Sequence, residues 1–86
     1  MGPATYEVFE KNMDLSVEYG AALYSGIKNR EKVYNSEYYI YPVEHPKKCV
    51  WGYLVKRNDP KKTIVGWKII SGKENCKEQQ GYILSF

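Results

Sequence analysis

Apolar positions in the first third of the chain recur with a helical period. Leu15, Tyr19, Ala22, Leu23, Gly26, Ile27 and Arg30 fall at i, i+4, i+7, i+8, i+11, i+12 and i+15, one stripe of a 3.6-residue repeat. The spacing predicts a helix from about Asn12 to Val33, with Asn12 as its cap and Asp14 in its first turn. Lys28, Arg30 and Lys32 fall near its end, where cations suit the helix dipole. Gly20, Ala21, Ala22, Ser25 and Gly26 make the middle of this stretch small. Glycine is costly in a helix interior, so the reading places Gly26 where the helix comes nearest a sheet. Ahead of it, Thr5-Tyr6-Glu7-Val8-Phe9 alternates weakly and reads as a short first strand.

From Tyr38 onward the period changes to two. Tyr38–Val43, Cys49–Lys56 and Thr63–Ile70 read as strands, separated by turns at Glu44–Lys48 and at Arg57–Lys62, where Asp59-Pro60 is the local signal. Ser71–Gln80 reads as a polar loop, and Gly81–Phe86 as a last short strand. Strands joined by short turns pair antiparallel. The expected architecture is α+β: one amphipathic N-terminal helix on an antiparallel meander sheet of four or five strands. Leu15, Leu23 and Ile27 are the expected core positions, packed on Val65, Ile69 and Leu54 or their strand neighbours. Gly52 beside Trp51 and Gly66 beside Trp67 read as hairpin glycines, which mark a bulge or let a large neighbour lie across the sheet.

Length fixes the domain count. The 86 residues, 43% apolar and 27% charged, suffice for one domain spanning 1–86 and no more. No run of ~18 apolar residues offers a membrane span, and no basic segment precedes an apolar one as in a secretory leader. The chain is therefore expected in the cytoplasm, without a membrane partner. In that compartment Cys49 and Cys76 are expected as reduced thiols rather than a disulfide.

The net charge of +3 conceals a polarity. Residues 1–45 hold four basic and seven acidic groups, and residues 46–86 hold nine basic and three acidic ones. The halves sum to −3 and +6, which suggests one acidic and one basic surface. Lysines that merely keep strand edges solvated give the same count.

Candidate chemistry is sparse. His45 is the one histidine. With Cys49 it supplies two metal ligands, and Cys76 still leaves a zinc site one short. His45 also offers the only base for a cysteine nucleophile, and, with Glu44 and a lysine, the only route to ribonuclease chemistry. No Gly-x-Ser-x-Gly, P-loop or dinucleotide fingerprint occurs. Glu7, Glu10, Asp14 and Glu18 read as plain helix-surface charge. No enzyme, cofactor or metal is expected.

Aromatic residues do stand out: nine tyrosines, two tryptophans and two phenylalanines, 15% of the chain. Alternation sends Tyr39 and Tyr41 to one face of their strand, and Trp51 and Tyr53 to one face of theirs. A single helix covers only one face of a sheet, so some rings are expected to look outward. Trp51, Tyr53, Trp67, Lys56, Arg57 and Lys68, with Tyr39 and Tyr41 beside them, form the expected binding surface, with a core role for Trp51 and Trp67 as the competing reading. Rings with neighbouring cations are typical of protein hot spots and also of base-stacking platforms.

The first functional reading is a small protein-binding module or inhibitor. The Lys-, Asn-, Tyr- and Ile-rich composition is of a kind met in phage and mobile-element proteins that block host or defence factors, an association of style rather than of motif. The alternative is a nucleic-acid or nucleotide binder that uses the basic, aromatic strand half, although a pI of 8.8 falls short of the usual basic footprint. Unpaired strand edges at Pro42 or Phe86 leave a homodimer open.

Overall fold

Helix α1 runs from Tyr6 to Glu18. It starts where Thr5 adopts extended backbone and its hydroxyl accepts a hydrogen bond from the Val8 N–H at 3.3 Å, satisfying one of the free amides of the first turn. It ends where Gly20 takes a left-handed φ of 62° and its N–H returns to the Val17 carbonyl at 3.0 Å, the glycine stop of many helices. Phe9 and Met13 are its buried residues. The structure, a computed structural model, describes residues 2–79; the expected last strand at 81–86 lies outside the described residues.

The helix thus starts earlier and ends sooner than the range expected from the sequence, sharing residues 12–18 with it. Thr5–Phe9 is a cap and the first helical turn rather than a strand, and the stretch read as Asn12–Val33 breaks at Gly20. Beyond that glycine the chain leaves the helix to pair with the sheet. The Leu23 N–H bonds the Lys62 carbonyl at 3.0 Å, and the Ile64 N–H bonds Ala21 at 2.8 Å. A 3-10 helix, Ser25–Arg30, follows with Ile27 buried. Leu23 and Ile27 keep their four-residue spacing on one side of the chain, so the apolar period persisted across a real break.

The sheet is a four-stranded antiparallel meander of β1 (Lys32–Val33), β2 (Tyr38–Glu44), β3 (Val50–Lys56) and β4 (Ile64–Ser71), in spatial order β1-β2-β3-β4. Tyr39, Tyr41 and Val43 pair with Val55, Tyr53 and Trp51. Tyr53 and Trp51 in turn pair with Trp67 and Ile69. Period-two alternation puts all of these on one face, the face on which α1 and the 3-10 helix lie. The architecture is α+β, one helix on a four-stranded antiparallel sheet.

Two apolar clusters fill the interface. Under α1, Phe9, Met13 and Trp51 pack with Cys49 and Cys76. Under the 3-10 helix, Leu23, Ile27, Tyr41, Val55 and Ile64 pack together. Val43 and Tyr53 touch both. Leu23 and Ile27 are core as expected, but Leu15 is only half-buried. Leu23 and Ile27 pack on the strand neighbours Ile64 and Val55 rather than on Val65, which is exposed beside a shift in β3–β4 register, or Leu54, which faces the other side of the sheet.

Cys49 and Cys76 are joined in a disulfide, not held as reduced thiols. Antiparallel pairing sets Val50 opposite Ser71. The chain leaving β4 then turns at Gly72, whose φ is 70°, and runs through a short 3-10 turn, Lys73–Asn75, to Cys76. That turn lies against the Glu44–Lys48 turn: a Cβ on Gly72 would sit 1.8 Å from the Lys48 carbonyl oxygen. Only glycine permits both this backbone and this approach. Just beyond, Glu78 forms an antiparallel bridge with Thr5. The chain around residue 78 is thereby tied to the start of α1.

Gly26 is exposed, and a Cβ there would meet only the Tyr24 ring at 3.4 Å. It is not where helix approaches sheet. Gly52 and Gly66 do make close approaches, but to the Ile40 and Leu54 side chains within the sheet.

Candidate functional site

Neither α1 nor the 3-10 helix covers the second face of the sheet. Tyr38, Ile40 and Pro42 of β2 share it with Val50, Gly52, Leu54 and Lys56 of β3 and with Gly66 and Lys68 of β4, by the same registers. The two glycines shape it. A Cβ on Gly52 would meet Ile40 Cγ1 at 2.5 Å, and one on Gly66 would meet Leu54 Cδ1 at 3.3 Å. Ile40 and Leu54 lie down in the space a side chain would have filled. Each is only 8% exposed, although neither belongs to the two core clusters under the helices.

Around this sunken floor stands a shallow apolar trough of about 480 Å³. Its floor includes Ile40, Pro42 and Val50. One wall is Lys32 and Tyr34 and the other is Lys68 and Ile70; Val33 and Ile69, in register with Tyr39 and Trp51 of the covered face, line the trough at its rim. Val33, Tyr34 and Ile70 are 64%, 44% and 46% exposed. They are three of the six large apolar side chains that stand exposed among the described residues, gathered in one depression. Isolated exposed apolar residues are ordinary, whereas a clustered patch with a polar rim is the mark of an interaction surface.

The eight residues singled out from the sequence divide between the two faces. Lys56 and Lys68 lie on the uncovered face. Tyr39, Tyr41, Trp51, Tyr53 and Trp67 lie on the covered one. Trp51 is 6% exposed and Tyr41 fully buried; Tyr39, Tyr53 and Trp67 are half-buried. The indole N–H groups are both engaged: Trp51 donates to the His45 carbonyl at 2.6 Å and Trp67 to the Asp14 carboxylate at 2.8 Å. Trp51 stands edge-on to Tyr53 with ring centres 4.7 Å apart, and Phe9 meets both tryptophans edge-on at 6.4 and 5.8 Å. This is core packing of aromatic quadrupoles. Arg57 lies over the Tyr39 ring at 5.1 Å and donates to the Asn35 carbonyl at 3.2 Å.

A polar cluster closes the border of the covered face. The Tyr41 hydroxyl donates to the Glu31 carboxylate. Lys62 Nζ lies 3.2 Å from Glu31 and donates to the Tyr41 oxygen at 3.3 Å. The Tyr41 hydrogen bond and then the Lys62 ammonium hold the Glu31 carboxyl below its ordinary range. Burial, and then Glu31, push the Tyr41 phenol up. The bonds to Tyr41 and Glu31 raise Lys62. All three shifts favour the charge state that keeps the cluster closed, which suits a latch holding Glu31 and Lys62 over the second core cluster.

Val33, Tyr34, Ile70 and Lys32 were missed by the sequence reading. The available signal was parity: Gly52 and Gly66 fall on the face opposite the tryptophans, and a face carrying two glycines has less side-chain bulk to bury against a helix than the face carrying the rings. His45 is exposed, in the turn before β3. Among the described residues no three of His, Cys, Asp and Glu are grouped to hold a metal ion, and no helix is long and apolar enough to cross a membrane. Comparison with known proteins gave no matching family model, no matching curated protein and no matching solved structure.

Proposed function

We propose that this chain is a small protein-binding module or inhibitor that engages its partner through the uncovered face of the sheet. The observation that carries the reading is the trough itself: exposed Tyr34 and Ile70 beside a glycine-lowered floor, with Val33 at the rim and a lysine on each wall. Apolar side chains desolvated at the centre of a patch supply affinity, and charges at its rim steer the partner and fix its orientation.

The nucleic-acid reading finds less support. Base stacking needs rings with a free face, and Trp51, Tyr53 and Trp67 are packed against α1 or against one another. Lys56 and Lys68 remain available, but without the stacking platform that the reading relied on.

The disulfide bears on where the protein works. Such bonds persist in oxidising surroundings and are rare in the reducing cytosol. The Cys49–Cys76 bond therefore favours an oxidising compartment over the cytoplasm expected from the sequence.

The test is affinity capture with tagged parent protein and with a Val33→Asp/Ile70→Asp variant, followed by mass spectrometry. Partners lost by this variant but retained by a Lys11→Glu variant on the outer side of α1 support the assignment. Equal capture by all three proteins removes it.

A further inference from the structure

We infer that the segment of the partner seated in the trough is an amphipathic α-helix with carboxylates along both flanks of its apolar stripe. This rests on the reading of the uncovered face as a protein-docking surface and specifies the chemistry it accepts.

Backbone accounting selects a helix. A chain lying on the face of a sheet, rather than at its edge, finds no free N–H or C=O beneath it, because the floor strands are paired with their neighbours. An extended segment there would have its own backbone groups desolvated without partners. A helix satisfies its backbone internally and offers side chains alone.

The dimensions agree. The walls stand on the two outer strands of a four-stranded sheet, three strand spacings apart, or about 14 Å. A helix with its side chains is about 10–12 Å across. The seven residues of β2 extend about 23 Å, the length of about 15 helical residues. Seated so, the helix would turn this two-layer fold into three layers, with the sheet covered on both faces.

Charge selects the flanks. Lys32 stands on one wall and Lys68 on the other, so a helix lying between them meets a cation on each side. Carboxylates on both flanks complement this arrangement, and lysines there would be repelled. The same charges disfavour a second copy of this chain. Face-to-face association would set Lys32 and Lys68 against their own counterparts. The outer side of α1 has the right sign, but its exposed positions are Glu7, Glu10, Lys11, Asp14 and Glu18, with no large apolar side chain to enter the trough.

The experiment uses the full chain with its disulfide intact and two labelled alanine-based helical peptides of about 15 residues. Each bears a leucine stripe; one is flanked by Glu and the other by Lys. Fluorescence anisotropy is expected to show the Glu-flanked helix binding at least about tenfold more tightly. The order should reverse in a Lys32→Glu/Lys68→Glu variant, and both peptides should be lost with Val33→Asp/Ile70→Asp. Should the aspartate pair fail to fold, Val33→Thr/Ile70→Thr replaces it and should weaken both peptides. Equal affinities, an unchanged order in the charge-reversed variant, or equally tight binding of a proline-interrupted Glu peptide would each overturn the inference. So would a dimer of the parent chain in sedimentation that Val33→Asp/Ile70→Asp dissociates, since a second copy would then hold the face. If that variant loses its captured partner while the peptides show no preference, the docking face stands and the acidic helix falls. If capture survives the variant, the docking face itself is wrong.

Discussion

Tyr41 is fully buried, yet its hydroxyl reaches Glu31 and Lys62 at the border of the fold, and this one residue couples the core to pH. Glu31 is held below its unfolded value by the Tyr41 hydrogen bond first and Lys62 second. A depressed carboxyl contributes stability above its unfolded value, about 4.3, and loses it as pH falls through the folded one. Asp59, depressed by the backbone N–H groups of Thr63 and Lys61, acts in the same direction. Tyr41 and Lys62 are raised, so their contribution is present below their unfolded values and is lost as pH rises through the folded ones. Glu31→Gln should therefore flatten the acid limb of stability, measured by urea unfolding from neutral pH to about pH 3. Solvent screening keeps the loss at neutral pH to about 0.5 kcal/mol or less. An acid limb unchanged in the variant would show that Asp59 and other carboxylates carry it. Glycines offer a second residue-scale contrast. Gly52→Ala drives a methyl into Ile40 and should cost about 1–3 kcal/mol. Gly26→Ala makes only ordinary contact with Tyr24 and should be neutral or slightly stabilising through the unfolded chain. Chemical denaturation of both variants checks the pair; similar losses would mean that the Ile40 side chain can move aside.

At the scale of elements, α1 depends on its two ends. Thr5→Ala removes the cap on the Val8 amide and should cost about 1 kcal/mol. The Thr5 backbone bridge to Glu78 remains available, so Thr5→Ser should restore most of the loss. Unfolding curves for the two variants test this, and equal losses would assign the effect to the threonine methyl instead. The strands were readable because alternation and turn residues agree: Pro46 and Asp59-Pro60 lie in the turns that bound β3. The helix was misread because two cues conflicted. The stripe through Leu15, Leu23 and Ile27 satisfies a helical period, while Gly20 ends the helix and Ala22 bridges Thr63. A tertiary pairing more than forty residues away in sequence decided the matter, and no local pattern announces it. β1 escaped for a related reason: two residues carry no period, and Lys32–Val33 is a strand only because Ile40 and Tyr39 lie beside it.

Across the whole molecule, the Cys49–Cys76 bond bridges a sequence separation of 27 and fastens the 3-10 turn after β4 to the cluster under α1. Chain-entropy arithmetic gives a bridge of this span about 3–4 kcal/mol, a large share of the stability of a domain this small. Cys49→Ala/Cys76→Ala should lower stability by that order in thermal or urea unfolding. A loss below about 1 kcal/mol would show that the Phe9–Trp51 packing holds this end unaided. Sequence alone offered the pair of cysteines but not their proximity, which arises only when β3 and β4 align. The docking face was half legible for the same reason. Lys56 and Lys68 could be assigned to the basic half, but which side of the sheet α1 would cover turned on whether the rings or the glycines met the helix. The rings won because they bury more apolar surface there.

The position of that covalent bridge also sets the mechanics of the chain. Both strands of the β3–β4 hairpin lie between the bonded cysteines. If the protein is held near Thr5 and near Gln79 and pulled, tension passes from Cys49 directly to Cys76 and bypasses everything between them. Residues 5–49 can unravel, while the hairpin, shielded from load, contributes nothing to the extension. Single-molecule stretching should therefore record a contour length about 90 Å shorter than that of the reduced chain, at about 3.5 Å per bypassed residue. A reductant added under tension should release that length in one discrete step.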